Sequence, residues 1–376
     1  MRLLMLTGDR NVVIGEKGPF WAMQAEFSKH FERIDCFCPQ PDKPVVVDCI
    51  HDNVHFHPAP VGRHRMVGWI AREGARLMGE HSHQLITSHD YGWFYNGLGA
   101  ARLTKATGVP YVSEIHHVPG VPVPADKREI FDRFVARRYV RWARSRTRAF
   151  RVVNSGQMPR LLESWGVPRE QVLVLGSLYI DLQTFRPAGE RPAPRQDVIY
   201  VGRMVNNKGL DRIVDALALR KQRGQPTTAL LLGRGPLRAA TEERVREAGL
   251  QGEVRFLDWV DAPSDLAQLY RESRAVVCAS TCEGGPRFTV EAMACETPAV
   301  STRVGIMEEL LVEDRNGALA DWTAEGLADA LGRVLDDEAR RSAMGRQACA
   351  DVQRFEYAAA LRGYAEGLQA LVGGGA

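Results

Sequence analysis

Short apolar runs recur along this chain, separated by stretches in which apolar residues return at helical spacing. In the first half the runs are Leu3–Thr7, Ile34–Cys38, Val54–His57, Leu85–Ser88, Tyr111–Glu114 and Arg151–Asn154. The second half repeats the pattern with Asp197–Val201, Ala229–Leu232, Val254–Leu257, Ala275–Ala279 and Pro298–Ser301. Such runs suit strands buried on both faces, and their alternation with helical stretches predicts parallel sheets covered by helices. Between the two series, Phe185–Pro194 turns abruptly to Pro, Gly and charge, which reads as a linker. The predicted fold class is therefore α/β, with two Rossmann-like domains, residues 1–186 and 195–356, around a central cleft. A last helical stretch, Tyr357–Val372, precedes a Gly373-Gly374-Gly375 tail that is expected to fray.

Length supports the division, because 376 residues exceed what one hydrophobic core usually organises. With 45% hydrophobic and 25% charged residues the chain belongs with globular proteins, and no apolar run reaches the length of a membrane span. The opening Met1–Asp9 carries one basic residue and reads as a buried strand running into a glycine turn, so a cytoplasmic location is expected. Seven scattered cysteines, only Cys36 and Cys38 close together, argue for reduced thiols. The net charge of +3 hides an asymmetry: 25 Lys+Arg against 18 Asp+Glu through Arg186 (+7), and 24 against 28 beyond it (−4). A solvated arginine-rich surface accounts for the basic half; an anionic partner needs further residues to support it.

Two segments carry chemistry. Val201-Gly202-Arg203-Met204-Val205-Asn206-Asn207-Lys208-Gly209 follows a strand and precedes a helical stretch. Its glycines allow tight turns and close backbone approach, Arg203 offers a fork for phosphate oxygens, and Lys208 a mobile point charge. Two cations on one strand-to-helix loop suit a diphosphate, although a basic surface loop has the same composition. The second segment, Ser280-Thr281-Cys282-Glu283-Gly284-Gly285-Pro286-Arg287-Phe288-Thr289-Val290-Glu291, also follows a strand. Its helix starts near Pro286, which puts Glu291 about one and a half turns in and leaves Glu283 on the loop. Two carboxylates then approach one ligand from different sides, as acceptors for sugar hydroxyls, while the Gly284 and Gly285 amides and the helix dipole face phosphate. Taken singly, either glutamate is an ordinary helix-start acid; the whole arrangement is less natural as one.

These segments resemble the paired donor-site signatures of the family 4 retaining glycosyltransferases of the GT-B fold, with seven residues between the two glutamates. Leu232-Gly233-Arg234-Gly235-Pro236, Val254–Val260 and Ala294–Val300 agree with the same family. The resemblance implies that Arg203 and Lys208 neutralise the donor diphosphate, that Glu291 holds the ribose hydroxyls, and that Glu283 holds a hydroxyl of the transferred sugar. It places Gly202, Gly284 and Gly285 at the phosphate or sugar, and the Val260 backbone at the base. In Val112–His117 it matches His116, rather than His117, to a histidine beside the donor sugar. Gly15-Glu16-Lys17-Gly18 occupies the place of a glycine-rich first loop, making Gly18 a candidate contact although its glycines are separated. The resemblance also implies a metal-independent reaction with no cofactor beyond the nucleotide-sugar substrate, and a C-terminal helix that packs back on the first domain.

Other signals are weaker. Cys36, Cys38, His51, His55 and His57 match no familiar zinc spacing, so no metal site is expected. Gly233-Arg234-Gly235 lacks the third glycine of a dinucleotide fingerprint, and Arg244 is no ribose-binding acid. Lys127–Trp142 is basic and aromatic: either it lies on an anionic membrane and delivers a lipid-linked acceptor, or Ile130, Phe134 and Tyr139 face the core, the safer reading. No nucleic-acid recognition module is present. The expected function is transfer of a sugar from a nucleotide-diphosphate donor to the hydroxyl of a glycan, lipid-linked or small acceptor. The rivals are an epimerase or phosphorylase on the same fold, or a non-catalytic sugar-nucleotide sensor.

Overall fold

The computed structural model describes residues 1–373; the glycine tail expected to fray lies, from residue 374, outside them. Strands β1 (Arg2–Leu6), β2 (Arg33–Cys38), β3 (Cys49–Ile50), β4 (Val54–Pro58), β5 (Leu85–His89), β6 (Tyr111–Glu114), β7 (Ala149–Val152) and β8 (Val172–Val174) form an eight-stranded sheet in the order 3-4-2-1-5-6-7-8. Only the short β3 runs antiparallel to its neighbour. Strands β9 (Gln196–Val201), β10 (Ala229–Leu232), β11 (Val254–Leu257), β12 (Ser273–Cys278), β13 (Ala299–Thr302) and β14 (Gly317–Ala320) form a parallel sheet in the order 11-10-9-12-13-14. Strands β3, β8 and β14 were not among the runs read from the pattern, and β7 begins two residues earlier than expected.

The continuous apolar runs have a packing cause. Along β9, Val198 and Tyr200 enter the core under the helices Leu210–Gln222 and Ala324–Leu335, whereas Ile199 enters the core on the opposite face with Tyr270 and Val290. Along β1, Leu3 and Met5 divide in the same way from Leu4 and Leu6. Helices cover both faces, so most strand positions carry buried apolar side chains, with Asp35 on β2, Glu114 on β6 and Arg151 on β7 as buried charges among them.

In each sheet the strand order reverses beside the first strand: β1 stands between β2 and β5, and β9 between β10 and β12. Ligands of open α/β sheets bind outside the carboxyl ends of the strands at such points. The chain crosses between the sheets twice, and the two crossings are hydrogen-bonded: Ile180 N donates to Phe355 O (2.8 Å) and Tyr357 N to Ile180 O (3.0 Å). Leu178, Ile180 and Phe185 on the first crossing pack into the core of the second sheet. The helix Tyr357–Gly373 returns to the first sheet, burying Leu361, Tyr364, Ala365 and Leu368 at i, i+3, i+4 and i+7 against Leu3, Met5 and Phe27.

Candidate active site

The loop after β9 forms a tight turn at Asn206–Lys208, and Gly209 (φ 63°) then starts the next helix. A Cβ on Gly209 would fall 2.2 Å from the Ala279 carbonyl oxygen, so glycine alone lets the turn lie against the end of β12. Thr281 N donates to Asn207 O (2.9 Å) and Asn207 Nδ2 to Cys282 O (3.2 Å), tying the two signature loops together. Lys208 Nζ donates to the Glu283 carboxylate, which also accepts from Ser280 Oγ at 3.0 Å. Arg203 is exposed, and its guanidinium makes no ion pair among the described residues. The Gly233-Arg234-Gly235 turn packs backbone to backbone on this loop, with Gly202 N donating to Leu232 O (3.0 Å) and Met204 N to Arg234 O (2.8 Å). A Cβ on Gly233 would lie 1.8 Å from the Gly202 carbonyl oxygen. These glycines serve loop packing.

Glu291 lies on the helix Arg287–Ala294 and is 8% exposed, with Tyr270 Oη donating to its Oε2 at 3.3 Å. Burial raises its carboxyl above the usual range, against the pull of Arg287 and Tyr270. A carboxylate so sparsely bonded gains from every hydroxyl that a ligand brings. Val260 lies half-buried in the loop after β11, beside the exposed Trp259.

The second loop also meets the first sheet. A Cβ on Gly284 would fall 2.6 Å from the His116 carbonyl oxygen, and one on Gly285 would fall 3.0 Å from Leu178 Cδ1. Val123 N donates to Thr281 O (3.4 Å) and Cys282 Sγ to Val118 O (3.1 Å) across the same seam. His116, two residues beyond β6, is half-buried and accepts from Arg151 Nη1 at 2.9 Å, while its ring lies 4.5 Å from that of His89. Burial, His89 and Arg151 together hold its imidazole well below the ordinary pKa. His117 is exposed, in the field of Glu283, Lys208 and Arg203.

Beneath His116, at the carboxyl ends of β1, β5, β6 and β7, is a cavity of 260 Å³ lined by Phe20, His89, Arg151, Tyr179, Arg287 and Tyr364, among others. Arg287 reaches it from the second sheet, its guanidinium 4.2 Å from the centre of the Tyr179 ring. A larger hollow of 1190 Å³ lies elsewhere, between the helices Met66–His81 and Tyr95–Thr107, and none of the sequence-derived site residues lines it.

A family model for glycosyl transferases group 1 matches residues 181–350, and one for a glycosyl transferase 4-like domain matches residues 21–177. The chain belongs to the group 1, family 4 glycosyltransferases. The D-inositol 3-phosphate glycosyltransferase of Pseudarthrobacter chlorophenolicus is 28% identical over 288 residues, 70% of this chain and 66% of the relative. That of Kineococcus radiotolerans is 33% identical over 227 residues, 53% and 52% of the two chains. The chain thus spans about half to two thirds of the curated relatives it matches. Among solved structures, Anabaena HepE in complex with UDP and glucose has a TM-score of 0.74 at 20% identity, covering 98% of this chain and 100% of that one. Sucrose-phosphate synthase from Thermosynechococcus elongatus has a TM-score of 0.74 at 21% identity, with 96% of each chain covered. These likenesses show the two-sheet GT-B fold.

In this member of the family the residues read from the sequence separate into groups. Lys208 and Glu283 touch, and Gly284 closes on His116. Gly18 caps the helix Pro19–Phe27, and nothing lies within 4 Å of where its Cβ would be, so no packing demands glycine there. No group of three or more His, Cys, Asp or Glu among the described residues is placed to hold a metal; Cys36 and Cys38 are core residues and His57 bonds Asp35 at 2.8 Å. Ile130 (48% exposed) and Phe134 (56%) face outward, against the core reading of the basic helix Lys127–Ala143; only Tyr139 of the three is buried. That helix buries the stripe Ala136, Tyr139, Val140 and Ala143, which begins after both residues. Arg151, Glu114, His89 and Tyr364 were missed as site-lining residues. The one visible signal was a charge in the middle of the apolar run Ala149-Phe150-Arg151-Val152.

Proposed function

We propose that this protein transfers a glycosyl group, with retention of configuration, from a nucleoside-diphosphate sugar to an acceptor hydroxyl. The observation that carries the reading is the grouping of Lys208, Glu283 and the exposed Arg203 at the switch point of the second sheet, with its loop closed on His116. Arg203 and Lys208 neutralise the diphosphate and the charge that grows on it as the anomeric C–O bond breaks. Glu291 accepts from the ribose hydroxyls. As Lys208 turns from Glu283 to phosphate, Glu283 is released to accept from a sugar hydroxyl. The acceptor oxygen attacks from the face that the phosphate leaves, and its proton passes to the departing phosphate, so no protein nucleophile is named. The closed seam between the sheets limits attack by water. We take residues 1–186 as the acceptor side and 195–356 as the donor side.

UDP is the first nucleotide to test, as the ligand named for Anabaena HepE, and an inositol phosphate the first small acceptor, as named for the curated relatives. The test is a thermal-shift screen of UDP, GDP, ADP, dTDP and their sugars, on wild type, Glu291→Ala and Lys208→Ala. Stabilisation by one nucleotide sugar, lost in both variants, supports the donor site; no stabilisation at millimolar concentration sinks it. Turnover without acceptor points to an epimerase, turnover dependent on phosphate to a phosphorylase, and binding without turnover to a sensor.

A second element of the proposal is a cytosolic protein resting on an anionic membrane. Among the described residues no helix is long and apolar enough to cross a bilayer. The helix Lys127–Ala143 instead exposes Ile130, Phe131 and Phe134 among Lys127, Arg128, Arg137, Arg138 and Arg141. The 1190 Å³ hollow adds Arg65, Arg72, Arg102, Lys105 and Arg146 with Trp69 and Trp142, and no acid lines it. Asp126, which caps the helix, accepts from Asn206 Nδ2 (3.3 Å), so the exposed aromatics begin at the rim of the donor site. A lipid-linked acceptor would arrive there.

A further inference from the structure

We propose that Tyr364 of the C-terminal helix is a positioning residue for His116, acting through Glu114 and Arg151 to hold the imidazole as the neutral tautomer protonated on Nδ1. The inference rests on the glycosyl-transfer reading only for its consequence, not for its geometry.

A guanidinium has five N–H donors, no acceptor, and keeps its proton in proteins. With Arg151 Nη1 at 2.9 Å from His116 Nε2, that ring nitrogen accepts. An imidazole that accepts at Nε2 is neutral and carries its hydrogen on Nδ1; the imidazolium would point an N–H at the N–H of a buried cation. The groups acting on the ring agree: His89 from β5, Arg151 from β7 and the adjacent His117 all disfavour the imidazolium, while Glu114 from β6 is paired with Arg151. Burial is the largest cause of the lowered imidazole pKa, and His89, Arg151 and His117 add to it.

Arg151 is held in place from three directions. Its Nε donates to Leu175 O (3.1 Å) and its Nη2 to Gly176 O (2.8 Å), both just before the first crossing between the sheets. Its guanidinium stacks 3.7 Å from the centre of the Tyr364 ring, on the helix that follows the second crossing. Its counter-ion, Glu114 Oε1, lies 3.5 Å from Nη1, too far for a good hydrogen bond. Tyr364 Oη donates to the same oxygen. With Oε1 so engaged, Glu114 neutralises Arg151 without drawing Nη1 away from His116. The C-terminal helix, more than two hundred residues away in sequence, thus sets the protonation of a residue at the cleft. For the reaction, His116 becomes an N–H donor to a hydroxyl or oxyanion of the donor and not a proton acceptor at Nε2.

Nitrogen-15 spectra of the full chain labelled at histidine, with His116 assigned through His116→Gln, test this directly. The expected wild-type signals are those of a neutral ring protonated on Nδ1 throughout pH 5.5 to 8. A ring protonated on Nε2, or an imidazolium at pH 7, overturns the proposal. Tyr364→Phe keeps the stacked ring and removes the hydroxyl, freeing Glu114 to close on Nη1. The expected result is a shift of His116 toward mixed tautomers, with kcat down about tenfold and donor KM unchanged. Unchanged His116 signals in a folded Tyr364→Phe remove Tyr364 from the relay; if that variant does not fold, the wild-type spectrum decides. UDP-induced stabilisation on the same samples separates the two readings. Nucleotide binding with the wrong tautomer overturns this inference alone, and the expected tautomer without nucleotide binding supports the relay while removing the donor-site reading.

Discussion

The two halves of the molecule build their share of the cleft in different ways. On the donor side, Arg203, Lys208, Glu283 and Glu291 come from two contiguous segments, each leaving a strand through a loop into a helix beside the switch point, with Glu291 on the second helix. On the acceptor side, His89, Glu114, His116, Arg151 and Tyr364 come singly from three strand ends, one loop and a helix that returns from the second sheet. A contiguous loop carries its geometry in its own glycines and turns. A dispersed cluster exists only after the topology has brought its members together, and the backbone crossings then hold it. The first kind of site depends on local spacing, the second on the global fold, and substitutions separate the two.

The largest effect is expected at Lys208. Lys208→Ala removes a preorganised cation from the developing phosphate charge and leaves Glu283 with Ser280 alone among its side-chain partners. Loss of one such stabilising group costs about 10²- to 10³-fold in kcat. Initial rates at saturating donor check it; a loss confined to KM would mean that Lys208 only binds. A smaller effect is expected at Gly284, which tests whether the donor loop needs the acceptor side. The added methyl of Gly284→Ala would meet the His116 carbonyl and Val153 at 2.6 and 3.1 Å, so the seam must open. Overpacking of this kind costs about 1–3 kcal/mol. Nucleotide binding should survive while kcat falls and donor hydrolysis rises, and an unchanged ratio of hydrolysis to transfer would show that the seam excludes no water.

How far each half was legible follows from the same difference. The donor loops could be read because their glycines, cations and acids sit at fixed spacing behind apolar runs, so the pattern of Gly202, Arg203, Lys208, Glu283 and Glu291 is itself the signal. The roles of Gly233 and Gly209 were less visible, since they meet the backbone of other loops and not a ligand. Strand β14, Gly317-Ala318-Leu319-Ala320, escaped because small residues carry little strand preference; only its pairing with β13 makes it one. Ile130 and Phe134 misled because their i, i+4 spacing matches that of a buried stripe, while the covered stripe starts at Ala136. Periodicity shows that a helix has an apolar face, not whether another element covers it.

Buried acids at the strand ends of the first half provide a third, smaller contrast. Asp90 is 2% exposed, and burial lifts its carboxyl from 3.8 to about 7 although the Ser88, Ser113 and Tyr139 hydroxyls pull the other way. Folding therefore favours the protonated acid. That contribution is complete below about pH 4, the unfolded value, and is lost as pH rises through about 7. The melting temperature is expected to fall between about pH 4 and 7 and to level off above, and Asp90→Asn, neutral throughout, should flatten the curve. An equally steep curve in the variant would assign the slope to other groups. On the donor side Glu291 is raised in the same direction, with burial as the largest cause.

The smallest effects are expected on the helix Lys127–Ala143, where the proposed membrane contact lies. Each basic residue near an anionic surface contributes about 1 kcal/mol, roughly fivefold in partitioning, and each is screened by salt. Arg137→Glu with Arg138→Glu should therefore weaken binding to vesicles containing phosphatidylserine by more than tenfold. Phe131→Ser with Phe134→Ser should weaken it in neutral and anionic vesicles alike, because the buried apolar area is lost whatever the charge. Both pairs lie on the exposed face of one helix and outside the stripe that holds it to the first sheet. The melting temperature and the nucleotide-induced shift should stay at wild-type values. If all four substitutions leave vesicle binding unchanged, the exposed aromatics serve another partner, and the acceptor side reduces to the cavity beneath His116.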